Sequence, residues 1–246
     1  MKLVLLGTGG YFPTARRQTA CLMLPEVGVV LDAGTGMYRL GRNLQTKRLD
    51  IFLTHAHLDH IAGLTYLLNL VPKDVLAATT VHGEAAKLDA VQEHLFAQDV
   101  FPVPPAFQFK PLGKSTPLPR GGTLTHFPLT HPGGSLGYRL DWPDSSLAYV
   151  TDTTAVPGAS YIEHIRGVDV LVHEAYFTDD DDDLPAITGH SSLPNVVQLA
   201  IEAGIQRVVL IHIDPTIEND NVFDLASARL KIENIMLGYD GLEIEF

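Results

Sequence analysis

Short apolar runs, each cut off by a glycine-rich or polar turn, recur from one end of this sequence to the other. KLVLL stops at GTGG, ACLML and GVVLD lead into AGTG, and LDIFL stops at THAHLDH. Farther along, TLTHFPL, GYRLDW, SLAYV, VDVLV and RVVLI have the same character, which is that of strands. Apolar spacing near 3.6 predicts helices over 60–70, 83–97, 192–203 and 222–232. Strands outnumber helices, and the helices fall between groups of strands, so the expected class is a layered α/β fold. The 246 residues, 46% of them hydrophobic, suffice for one sizeable core. No repeat or boundary is evident, so 1–246 reads as a single domain. The proline-rich stretch 101–122 reads as a connecting segment with one short strand at AFQFK.

Composition narrows the function. Every apolar run is far shorter than a membrane span, and MKLVLLGTGG reads as a first strand rather than a signal peptide. The one cysteine, Cys21, excludes an intrachain disulfide and fits a cytoplasmic protein. The formal net charge is −12, unevenly spread: residues 1–140 carry 13 basic and 9 acidic side chains, residues 141–246 carry 4 and 20. So acidic a half argues against wrapping a long nucleic acid, but not against a small anionic substrate. The run Asp179–Asp183 reads as a solvated, self-repelling loop tip.

THAHLDH, residues 54–60, carries the chemistry. In an extended segment His55 and His57 face the same way and can converge on one ion. Asp59 and His60 stand where the chain turns into a helix, so they should point toward a second position. Imidazoles with a carboxylate suit zinc, manganese or iron better than calcium or magnesium. Further candidate ligands close other strand-like runs: His131 after FPLT, Asp152 after LAYVT and His212 after VVLI.

With GTGG, LDAGTG, LVHEAYF and TGHSS, this pattern resembles the metallo-β-lactamase superfamily, and within it the ribonuclease Z-like phosphodiesterase branch. The resemblance runs over essentially the whole chain. It implies an αββα sandwich, two mixed β-sheets flanked by helices, with two divalent metal ions, zinc foremost and manganese or iron as alternatives. It implies that His55, His57 and His131 hold one ion, that Asp59, His60 and His212 hold the other, and that Asp152 bridges them. Two ions bring +4 and the carboxylates of Asp59 and Asp152 return −2, so the site would attract an anionic ester. The reaction expected is hydrolysis of a small or cyclic nucleotide-type phosphodiester by a metal-bridging hydroxide. The catalytic set is then Asp59 with Glu174 and His190, Glu174 orienting His190 and His190 protonating the leaving oxygen. Asp32 is expected to anchor a loop or a ligand histidine, and His173 to support the fold. His82, His94, His126 and His164 read as structural or exposed.

Two departures bear on substrate. Ribonuclease Z proper carries a long arm between the third histidine motif and the bridging aspartate that grips tRNA. Here His131 and Asp152 are 21 residues apart, with room for a strand, a turn and a strand. The early loop reads PTARRQT, so Arg16 and Arg17 are weak candidates for substrate binding; Arg139, Tyr138 and Tyr176 are weaker still. Competing readings are a tRNA 3′-end endoribonuclease, a thioester, lactone or β-lactam hydrolase of the same superfamily, and a metal-holding accessory protein. A homodimer is compatible with the resemblance.

Overall fold

The computed structural model describes residues 1–70, 76–105, 107–179 and 184–246. The chain divides into two compact units, Met1–Lys114 with Tyr239–Glu245, and Ser115–Gly238 with Phe246.

The first unit is built on strands β1 (Lys2–Gly7), β2 (Cys21–Leu24), β3 (Val29–Leu31), β4 (Arg48–Phe52), β5 (Ala78–Gly83) and β6 (Gln108–Pro111). In the second unit the strands are β7 (Ser115–Leu118), β8 (Gly122–Leu129), β9 (Ser135–Trp142), β10 (Ser145–Val150), β11 (Val170–Glu174), β12 (Arg207–Ile211) and β13 (Asn234–Leu237). The last strand, β14 (Glu243–Glu245), returns to pair with β1 in the first unit. Each unit therefore holds a seven-stranded mixed sheet, ordered β14-β1-β2-β3-β4-β5-β6 and β13-β12-β11-β10-β9-β8-β7. In the first sheet β3 to β6 are parallel; in the second β10 to β13 are.

Helical segments cover one face of each sheet. Val4, Leu6, Val30, Ile51 and Val81 pack with Met37, Leu40, Leu64, Leu88 and Val91 in the first unit. In the second, Ala148, Val150, Leu171, Val208 and Leu210 pack with Ile162, Ile165, Val196, Leu199 and Ala200. Alternate strand residues such as Leu3, Leu5, Leu22 and Leu31 are also fully buried, which is why the strands read as continuous apolar runs.

The helix expected over 60–70 is broken into an α-turn at Leu58–Ile61, a 3-10 segment at Ala62–Tyr66 and a turn at Leu67–Leu70. The cause is local. The Gly63 amide donates to Ala33 O (2.7 Å) instead of to Asp59 O, and Asp59 O accepts from the Thr19 hydroxyl (2.7 Å). A side chain at Gly63 would strike Gly34 O at 2.2 Å, so only glycine lets the two backbones meet. Expectations fare unevenly elsewhere. The helix over 192–203 is present as Leu193–Glu202. That over 83–97 is α-helical only at Ala85–Ala90, before a π-turn at Val91–Leu95. At 222–232 a 3-10 turn ends at Val222 and a new helix, Leu225–Arg229, starts from an Asp224 cap.

Candidate metal centre

The candidate ligands His55, His131, Asp152 and His212, and the supporting Asp32, stand just past the C-terminal ends of strands. Asp32 follows β3, His55 lies three residues beyond β4, and His131, Asp152 and His212 follow β8, β10 and β12. Within each unit these strands run in one direction, so their ends open on a common edge, where parallel-containing sheets place ligands. Asp32, Asp152 and His212 have left-handed backbones (φ 58°, 54° and 53°), which turn a side chain back across the strand end.

In the first unit the rings of His55 and His57 are 4.4 Å apart and those of His55 and His60 4.3 Å, while Asp59 Oδ2 lies 3.4 Å from His60 Nε2. Asp32 organises this group from beneath, as expected. Its carboxylate accepts from the Thr54 amide (2.8 Å), the Thr54 hydroxyl (2.9 and 3.0 Å) and His60 Nδ1 (2.8 Å). The single hydroxyl proton of Thr54 is thereby committed to Asp32, so Thr54 Oγ1 must accept from His55 Nδ1 at 3.0 Å. Both histidines therefore carry the proton on Nδ1 and keep Nε2 basic, as a metal ligand requires. Asp59 Oδ2 also accepts from the Tyr11 amide at 3.0 Å. Gly34 packs closely: an added Cβ would lie 2.3 Å from Asp59 O.

In the second unit His131 Nδ1 donates to Gly189 O (3.0 Å), again leaving Nε2 basic, and burial pushes this imidazole below its ordinary pKa. Asp152 Oδ1 lies 3.6 Å from His131 Nε2, and Asp152 Oδ2 lies 3.5 Å from His212 Nε2. Both distances are too long for hydrogen bonds. They are near the roughly 3.4 Å that separates two donors on one tetrahedral ion. The imidazole-and-carboxylate set fits a divalent transition metal.

Glu174, the last residue of β11, is completely buried and held by three hydrogen bonds. Oε1 accepts from the Thr153 amide (2.6 Å), and Oε2 accepts from the Ser191 amide (3.2 Å) and His190 Nδ1 (3.0 Å). One ligand atom each from Asp152, His190 and His212 falls within a 4.8 Å group, so His190 stands beside the bridging candidate. Tyr176, among the weakest substrate-binding candidates, is half-buried and stacks on His190 at 4.8 Å. His173 serves the fold: Nδ1 donates to Glu174 O (2.7 Å) and Nε2 accepts from the Tyr161 hydroxyl (3.0 Å).

The remaining candidates lie as follows. Arg139 is spent on Asp141 and on the carbonyls of His164 and Arg166, and Tyr138 is buried. Arg17 is buried with Nη1 on the Thr8 hydroxyl (2.8 Å), whereas Arg16 is exposed. His82 binds Asp50 and stacks on Phe52, His164 stacks on Phe127, and His94 is exposed. Asp179 is exposed, and 180–183 lie outside the described residues. Thr19, Thr54 and the Tyr11 amide were not singled out from sequence. Thr54 alone carried a signal, as the residue between strand and first histidine.

The family described as Beta-lactamase superfamily domain matches residues 28–213. The chain belongs to the beta-lactamase superfamily. Within the superfamily, ribonuclease Z of Pyrobaculum aerophilum is 31% identical to it over 87% of this chain and 86% of its own length. Ribonuclease Z of Gloeothece citriformis is 29% identical over 100% of this chain and 96% of its own. These relatives place the chain in the ribonuclease Z-like branch and make it a metal-dependent hydrolase of the superfamily. The metallo-beta-lactamase fold protein YhfI from Bacillus subtilis shares the fold, with a TM-score of 0.80 at 21% identity, covering 100% of this chain and 99% of its own. The two mixed sheets with flanking helices are thus the superfamily's fold. The Gloeothece alignment is 310 residues long yet takes in all 246 of this chain, so at least 64 of its positions face gaps here.

Proposed function

We propose that this superfamily member is a phosphodiesterase acting on a small or cyclic nucleotide-type phosphodiester with two divalent ions, zinc foremost. In this reading His55, His57 and His131 hold one ion, Asp59, His60 and His212 the other, and Asp152 bridges them. The observation that carries it is the Asp152 carboxylate, whose two oxygens face two different histidine nitrogens at 3.6 and 3.5 Å. A bridging carboxylate is oriented in this way. When bound, such ions acidify water and draw charge from the phosphoryl oxygens.

The chain's own groups supply the rest. Asp32, Thr54 and Gly189 fix three histidine tautomers, so the ligands are oriented before any ion arrives. Glu174 holds His190 Nδ1–H, which turns Nε2 outward beside Asp152 and His212 to protonate a leaving alkoxide. An acyl-transfer site has less need of an acid at that place, which favours the phosphodiester over a thioester or lactone. The buried Cys21 is compatible with a reducing cytoplasm.

The test is turnover of bis(p-nitrophenyl) phosphate by metal-stripped protein reloaded with zinc or manganese. His57→Ala and Asp152→Ala should each cost at least about 100-fold, since even outer partners of metal ligands are worth 10–100-fold. Unchanged rates in both variants would remove the reading.

The relatives' name, ribonuclease Z, favours a second reading, maturation of tRNA 3′ ends. Against it stands the hairpin of β9 and β10, which pairs Trp142 with Ser145 across the two-residue turn Pro143–Asp144 where an arm would emerge. Cleavage of a precursor tRNA as efficient as diester turnover would establish it.

A further inference from the structure

We propose that Tyr11 and Phe12 form a stacking platform for a nucleobase, so that the substrate is a phosphodiester carrying a purine- or pyrimidine-type ring; the inference rests on the phosphodiesterase reading and sharpens its substrate class. Two large aromatic side chains stand side by side in the early loop, Tyr11 71% and Phe12 43% exposed. Their rings meet edge to face with centroids 5.3 Å apart and planes at 68°, so one ring braces the other and a third ring stacks on one exposed face rather than on both.

Three further observations separate this pair from incidental surface aromatics. The Tyr11 amide donates directly to Asp59 Oδ2 at 3.0 Å, so the platform is tied by its own backbone to a candidate metal ligand. Tyr11 has a left-handed backbone, φ 59°, although Gly9 and Gly10 precede it in GTGGYF. A bulky residue is disfavoured there, and such local strain gathers at ligand-handling sites. The loop is also held rigid. Asp240 accepts from the Thr8 amide (3.0 Å), the Thr8 hydroxyl (2.8 Å) and the Gln18 amide (2.7 Å), and Arg39 lies 3.0 Å from the same carboxylate. Gly9 N–H reaches Gln18 O at 2.8 Å, and Phe12 N–H closes on Gly10 O at 2.8 Å. Rings presented on an ordered loop lose little freedom on binding. Stacking on an aromatic face suits any base, because every base has one. It discriminates a nucleoside ester from an alkyl ester of equal charge.

The experiment compares AMP with ribose 5-phosphate as calorimetric ligands of the zinc-loaded full chain, beside bis(p-nitrophenyl) phosphate turnover. AMP should bind about tenfold more tightly, within the range of one stacked base. In Phe12→Ala, and in Tyr11→Gly, which retains an amide suited to the left-handed backbone, the ratio of the two affinities should fall to within about twofold; the ratio cancels any general weakening of the site. Equal affinities in the parent protein, or an undiminished ratio in both variants, overturn the platform while diester turnover leaves the phosphodiesterase reading standing. Absence of both binding and turnover overturns the two together.

Discussion

Glu174 and His190 are joined by a 3.0 Å hydrogen bond in which the carboxylate is sealed from solvent and the imidazole keeps an open edge. A carboxylate bound by two backbone amides cannot swing, so the imidazole plane is set before substrate arrives. If His190 is the acid, its value should depend on what leaves. We expect His190→Ala to slow an alkyl-leaving diester by about 100-fold or more, the usual worth of positioned acid catalysis, and a p-nitrophenyl diester by only a few-fold. Rates across leaving groups of graded basicity measure it; parallel losses would place His190 among the ligands instead.

Asp32 touches no candidate ion but controls two candidate ligands. Asp32→Asn keeps the shape and the tolerated backbone, yet disturbs the proton order through Thr54 to His55 and at His60. Metal affinity should fall 10–100-fold, read by competition with a chelator, at little cost in secondary structure.

Gly34→Ala should be nearly as harmful as loss of a ligand. The added methyl would lie 2.3 Å from Asp59 O and 2.5 Å from Thr19 Oγ1, and overpacking of this kind costs about 1–3 kcal/mol. Because the displaced atom is the backbone of Asp59, both the urea midpoint and the metal content should drop.

Burial lowers the pKa of His173 below its usual 6.5, and the neutral ring is held between Glu174 O and the Tyr161 hydroxyl. The unfolded chain therefore takes up a proton that the folded chain resists in the window below pH 6.5, and stability rises with pH across it. The urea midpoint of the metal-free protein should fall as pH drops from 7 into that window. His173→Gln should lose part of that slope.

Parts of the fold and of the site are legible in the sequence, and parts are not. THAHLDH was legible because ligands two apart on an extended segment need no knowledge of the rest of the chain. The strands β10, β11 and β12 were legible because burial on both faces gives each an apolar run, LAYV, VLV and VVLI. Strand β5, with Ala78, Thr79 and Thr80 partly exposed, carries no such contrast. Edge strand β7 hides among prolines that only an edge tolerates, whereas β6 falls on the short strand expected at AFQFK. The break near Gly63 was beyond reach, since its cause is Ala33, thirty residues upstream. So was the Tyr11 amide on Asp59: a main-chain donor has no letter of its own.

The left-handed backbones of Asp32, Asp152 and His212 also bear on how such a protein ages under selection. Glycine would relax the backbone at Asp152 and His212, so substitutions that erase chemistry there are among those a hotter environment would reward, whereas at Asp32 it would strand the Thr54 amide and His60 Nδ1. A lineage kept for robustness alone would drift toward a sturdier, silent relative whose outline no longer betrays its former trade.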